Sequence, residues 1–211
     1  MTKRLAILGA SGHGKVVAEI ALDCGWRDIA FYDDAWPELS TNGSYEVVGD
    51  TASLVRQVRD FDGVHVAIGN NRVRLEKYEY LRLQGAEFPI LVHPRAVVSQ
   101  SSSLGYGSVV MAGAVVNADT TISRACILNT GSSVDHDCIV GEGVHVSPGV
   151  NIAGGVILGN CSWIGIGAAV VQCTSIGSDV IVGAGSVVLN DIADGMCVVG
   201  VPAKSNSQFS V

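Results

Sequence analysis

Charge is scarce in this chain. Asp, Glu, Lys and Arg make up 16% of its 211 residues against 48% hydrophobic residues. A sizeable core can therefore be buried, and disorder over most of the length is excluded. Cations are scarcer than anions, and the formal net charge of −7 argues against nucleic acid or an anionic membrane surface as the main partner. No uninterrupted apolar stretch approaches the ~20 residues of a membrane helix, so membrane insertion is not expected. The opening MTKRLAILGASG breaks into glycines after Leu8, too short an apolar run for a signal peptide. The six cysteines (Cys24, Cys126, Cys138, Cys161, Cys173, Cys197) form no CxxC pair. Without a secretory signal, the expectation is a cytoplasmic protein with free thiols. Four of them fall at small-residue positions of a repeat and are expected as small buried side chains.

What is present divides into two parts. Residues 1 to about 92 alternate strand-like and helix-like segments. RLAILGA, DIAFYDD and GVHVAIGNN read as strands, with EFPILVHP as a last short one. GKVVAEIALDCG and NRVRLEKYEYLRLQG read as helices stopped by Gly25 and Gly85, and TASLVRQVRD as a third helix. Strand, helix and strand in succession predict a Rossmann-like α/β domain with a parallel sheet and crossover helices.

From residue 98 the period becomes six. Every sixth position from Val98 to Val188 is aliphatic, glycine often follows it, and a small or β-branched residue often sits four places on. Neither a helix nor a flat sheet has that spacing, which is the hexapeptide signature of a parallel β-helix over residues 93–204. Three hexapeptides close one triangular turn, so each residue meets neighbours 18 positions away on coils roughly 4.8 Å apart. About five coils fit before residue 190. The polar tail, 205–211, is expected to fray.

Candidate chemistry clusters in SSVDHDCIVGEGVHVSPG. The 18-residue rule places His136 between Ala118 and Gly154, which leaves room around the ring, and Asp137 between Asp119 and Gly155. A second carboxylate one coil away, Asp119, favours the imidazolium and makes His136 a stronger base. The alternative is a solvated surface histidine. His145 falls between Ile127 and Trp163, nine residues and one and a half prism sides from His136, so the two are not expected to meet within one chain. With only these two histidines in the repeat, a third zinc ligand is missing and no metal is expected. In the first domain GASGHG follows a strand and opens a helix, whose amides can hold phosphate. Its glycine spacing is not that of GxGxxG, which disfavours a redox cofactor. Ser11, Gly12 and His13 there are candidate substrate contacts. Asp33 and Asp34 close the second strand, where such folds bind a base or ribose; a turn or cap is the alternative. Asn70-Asn71 reads as a turn, and the cations of NRVRLEK as a solvated helix face.

ILGASGHGKVVAEIA, FYDD, AIGNN, HPRAVVS, NTGSSVDHDCIVGEGVHVSPG and VGVPAK, in that order, resemble the hexapeptide-repeat sugar acyltransferases of the sialic acid O-acetyltransferase (NeuD/PglD-like) family, over nearly the whole chain. The resemblance implies a left-handed β-helix, a homotrimer and acetyl-CoA lying between neighbouring β-helices. It also implies a nucleotide-linked sugar held by the N-terminal domain. It makes His136 the general base and Asp137 the acid that raises its basicity, although many members carry Glu there. His145, Gly165, Ile166, Gly183 and Ala184 match positions that approach the coenzyme, with ordinary corner residues as the alternative for the last four. The implied reaction is acetyl transfer to the amino group of a nucleotide-activated amino-sugar. Transfer to a sugar hydroxyl is the second reading, and a non-catalytic assembly or ligand-sensing protein the third.

Overall fold

In the computed structural model, which describes residues 3–206, the chain divides into two compact units, Met1–Pro94 and Arg95–Val211. In the first unit β1 (Arg4–Leu8) lies between β2 (Asp28–Tyr32) and a later strand, all parallel. Between them in sequence come α1 (Gly12–Asp23), a small antiparallel hairpin of β3 (Thr41–Asn42) and β4 (Tyr45–Glu46), and α2 (Thr51–Gln57). The third sheet strand is β5 (Gly63–Val66), followed by α3 (Asn71–Leu83) and the two-residue β6 (Leu91–Val92). Helix α1 buries Gly14, Val17, Ala18 and Ala21, the i, i+3, i+4, i+7 stripe of an amphipathic helix, and Gly25, at φ +91°, lies just beyond its end.

The hairpin is absent from the sequence expectation, and EFPILVHP yields only Leu91–Val92, since Pro89 and Pro94 lack the amide a longer strand needs. A second correction concerns NRVRLEK. Asn70 caps α3 by accepting the Val73 N–H at 3.1 Å, and Arg74, far from being solvated, is 1% exposed.

The second unit is a β-solenoid of roughly six turns. Its sixteen two-residue strands run from β7 (Val97–Val98) to β22 (Val187–Val188), one every six residues. They form three parallel faces, each strand pairing with those 18 residues before and after. Face one carries β13 (Ser133–Val134), face two β14 (Ile139–Val140) and face three β15 (His145–Val146). The aliphatic positions from Val110 to Val188 point inward and are 3% exposed or less, each worth roughly 1.5–3 kcal/mol of burial. The small residues four places on, from Ser108 to Ser186, are equally buried. Several of their hydroxyls brace the following rung. Thr120 Oγ1, for instance, donates to the Asp135 carbonyl at 2.6 Å and accepts the Cys138 N–H at 3.2 Å.

Every corner apex from Gly107 to Gly185, three residues after the aliphatic, has φ between +56° and +72°. The three columns of apexes are filled differently. The corner between faces three and one is glycine throughout: Gly113, Gly131, Gly149, Gly167 and Gly185. The corner between faces one and two carries Asp119, Asp137, Gly155 and Cys173. Cys161 and Cys173 are thus apex residues rather than buried small ones; only Cys126 and Cys138 of the four are buried. Past the repeat, β23 (Cys197–Val199) extends face three and pairs with β24 (Lys204–Ser205). Ser205 and Asn206, expected to fray, are tied down in this way, with Asn206 N–H on the Cys197 carbonyl at 2.8 Å. The rest of that tail, 207–211, lies outside the described residues.

Candidate active site

The Asp135–Cys138 turn links β13 to β14 and is clamped from inside by Thr120. His136 and Asp137 stand outside it with side chains 60% and 67% exposed. Asp137 Oδ2 lies 2.7 Å from His136 Nδ1. An ionised carboxylate only accepts, so Nδ1 carries the hydrogen and Nε2 is left with the lone pair. The ring lies over the next rung, where a Cβ on Gly154 would come within 2.5 Å of its Cε1 and 2.6 Å of Nε2. Room expected around the ring is therefore filled on that side by the ring itself.

His136 is raised above the ordinary histidine value, first by the Asp137 hydrogen bond and next by the charge of Asp135. The second carboxylate acting on the ring is thus Asp135, not Asp119. Asp135 Oδ1 accepts the His136 N–H at 2.9 Å, within the same turn.

His145 opens β15 on face three, across the prism from the corner that carries His136. It pairs in register with Ile127 and Trp163, as the 18-residue spacing requires, and its ring centroid is 6.4 Å from the indole at 25°. Asn129 Nδ2, a contact sequence reasoning missed, lies 3.1 Å from His145 Nε2. It sits 16 residues back rather than 18, so the spacing rule does not find it. Trp163 is itself 42% exposed and donates to Ser147 Oγ at 2.7 Å.

Gly165 and Ile166 stack on Gly183 and Ala184 beside the all-glycine corner. A Cβ on Gly165 would strike the Val182 carbonyl oxygen at 2.5 Å, and one on Gly183 a Val199 methyl at 2.7 Å. These two glycines are explained by rung packing alone. At Gly149, Gly167 and Gly185, by contrast, none of the described residues lies within 4 Å of the added carbon, and none of them fills the space these glycines leave. Ile166 is 57% exposed on the same edge.

In the first unit, glycines of GASGHG divide the same way. A Cβ on Gly9 would meet the Ala67 carbonyl oxygen at 2.6 Å and one on Gly14 the Gly9 carbonyl, while Gly12 is open. Ser11 caps α1 without a side-chain hydrogen bond. The His13 ring is largely buried and its Nε2 has no hydrogen-bond partner among the described residues; burial, then the charge of Arg74, holds it at about 4. His65, on β5 opposite Ile7, is pulled to about 3 by burial, then by His13 and Arg74.

Asp33 and Asp34 are committed within the chain. Asp33 accepts the Ala10 and Ala35 amides at 2.8 and 2.9 Å. Asp34 accepts the Thr51 amide at 2.9 Å and pairs with Lys77 at 2.6 Å. Burial pushes the Asp34 carboxyl up, but Lys77 and Thr51 outweigh it and leave it at about 2. Among the described residues no three or more His, Cys, Asp or Glu side chains gather as a metal cluster would require, and no helix is long and apolar enough to cross a membrane.

Residues 4–81 match the PglD N-terminal domain family. The acetyltransferase domain of PglB from Neisseria gonorrhoeae FA1090, solved in complex with acetyl coenzyme A, is 42% identical over 98% of this chain and 100% of that one, with a TM-score of 0.93. PerB from Caulobacter crescentus, solved in complex with CoA and GDP-perosamine, is 40% identical over 98% of this chain and 99% of that one, with a TM-score of 0.92. A UDP-N-acetylbacillosamine N-acetyltransferase from Bacillus subtilis (strain 168) is 37% identical over 116 residues, 52% of each chain. The match therefore spans about half the length of that curated relative.

Proposed function

This chain belongs to the PglD/PglB-like family of sugar acetyltransferases, and we propose on that premise that it moves the acetyl group of acetyl-CoA onto the amino group of a nucleotide-linked amino-sugar. The observation that carries the reading is the exposed Asp137–His136 pair, with its lone pair on Nε2 and Asp137 2.7 Å from Nδ1. The sugar nitrogen attacks the thioester carbon while Nε2 takes its proton; the C–S bond then breaks and the imidazolium returns a proton to the departing sulfur. Asp137 steadies the charge on the ring between the two steps. No covalent acyl-enzyme is needed, because holding both reactants together supplies much of the rate.

His136 and His145 lie on opposite sides of one prism, so a site that uses both draws them from two copies of the chain. A homotrimer with a cleft between neighbouring solenoids meets that requirement. We assign the coenzyme to face three and the glycine corner, with His145, Gly165, Ile166, Gly183 and Ala184 along it. The nucleotide is assigned to the first unit, at Ser11, Gly12 and His13, with Asp33 and Asp34 shaping the loops around it. An amine acceptor is favoured over a hydroxyl by the N-acetyltransferase relative. The setting we infer is cytoplasmic synthesis of sugars for bacterial surface glycans or glycoproteins.

The test is a panel of UDP- and GDP-linked amino-sugars with acetyl-CoA and a thiol-release readout, run beside the matching hydroxy-sugars. Release that depends on an amino-sugar is expected. Release only with hydroxy-sugars, or none with any acceptor, contradicts the proposal.

A further inference from the structure

We propose that Asn117 is a positioning residue for this base: by seating Asp135 against the His136 turn, it gives the Asp137–His136 pair a second carboxylate and sets how readily the ring takes a proton. The inference rests on the reading of His136 as the base. Asn117 stands one residue past β10 (Val115–Val116), on the rung before Asp135. Its Nδ2 donates to Asp135 Oδ1 at 2.8 Å, the same oxygen that accepts the His136 N–H at 2.9 Å. Two donors converging on one oxygen fix both torsions of a side chain that stands in solvent. With the backbone donor alone, the carboxylate regains rotamer freedom, and a surface charge free to turn away contributes little.

The charged and titratable groups facing the turn are few. Asp137 and Asp135 share the rung of His136. Asp119 lies one rung before in the column of Asp137, and Cys173 lies beyond Gly155 in that column. The rung after brings only Ala153, Gly154 and Gly155. Of the acids, Asp137 and then Asp135 act on the ring. Asp135 is itself held below the usual carboxylate range, first by the His136 amide and then by Asn117. Asn117 therefore works on the ring only through Asp135, and a plain rung-to-rung tie predicts no such link.

The experiment is an NMR titration of the His136 imidazole in the full chain, its signal assigned by its loss in His136→Gln, alongside kcat/KM against pH. Wild type is compared with Asn117→Ala, Asp135→Asn and the double variant. In Asp135→Asn the midpoint should move toward acid; in Asn117→Ala it should move the same way by a smaller step. The double variant should move no further than Asp135→Asn alone. The acid limb of kcat/KM should follow toward acid, with KM nearly unchanged. A midpoint in Asn117→Ala equal to wild type, or additive shifts in the double variant, overturns the inference. If the NMR midpoints move as stated but the kcat/KM limb does not, the positioning role stands and His136 is not the base.

Discussion

The two units treat the same side chain in opposite ways. In the first, His65 and His13 are enclosed and discharged, held at about 3 and about 4 by burial and by the neighbouring Arg74. In the solenoid, His136 stands in solvent with acids on both sides and is raised. Burial penalises the charged ring, whereas a carboxylate partner rewards it. A ring that stays neutral across the physiological range gives or takes hydrogen bonds but does not cycle a proton; a ring whose charged form is supported by carboxylates can take one up. The contrast is what the proposed roles require, with the proton-accepting ring in the solenoid and uncharged rings in the first unit.

The largest effect that would break this contrast is kinetic. His136→Ala should lower kcat by about 10²–10⁴-fold and leave thermal stability near wild type, because the ring is exposed. A change of less than a few-fold at saturating substrates removes the base from the account. Next comes acid stability. The unfolded chain protonates His65 and His13 near 6.5, while the fold refuses those protons until about 3 and about 4. Stability is therefore complete above pH 6.5 and falls as the pH drops, by roughly 3 kcal/mol per ring at pH 4. His136 has the opposite sign, its favourable share being present at low pH and lost as pH rises through its raised value. Urea midpoints from pH 7 to pH 4 should fall in wild type and fall less steeply in His65→Leu; parallel curves would show that the buried ring does not set the acid limit.

The smallest effects separate the two corners. Cys173→Gly relieves a side chain at φ +56° and should stabilise by about 0.5–1 kcal/mol. Gly149→Ala, at φ +67° with open space around it, should destabilise by about 1 kcal/mol and also raise KM for acetyl-CoA. An unchanged KM would leave the glycine corner without a part in coenzyme binding.

The solenoid was legible because each position of the hexapeptide has one fixed job. An inward aliphatic, a left-handed apex and a buried small residue recur without insertion, so register, face and the pairing of His145 with Trp163 follow by counting. Counting failed where side chains reach off the lattice. Asn129 meets His145 across 16 residues, and Asp135 acts from within its own turn, so neither follows from the 18-residue rule. The glycine corner was overlooked because glycine is an ordinary apex singly; the signal is its return every 18 residues from Gly113 to Gly185, at positions where other corners accept Asp, Ala or Cys. In the first unit, Arg74 carries a charge that reads as surface, yet its guanidinium is satisfied inside by the Ile68 and Gly69 carbonyls and Asn71. Nothing in a helix of alternating charges marks which cation turns inward.

The proposed site is completed by two copies, one giving His136 and its neighbour His145. Mixing His136→Ala and His145→Ala chains, dissociating and reassembling them, and assaying thiol release tests it directly. Random assembly into closed rings should restore about a quarter of wild-type activity from two weakly active parents. Activity no higher than the average of the parents would mean that both histidines serve within a single chain, or that they do not share a site.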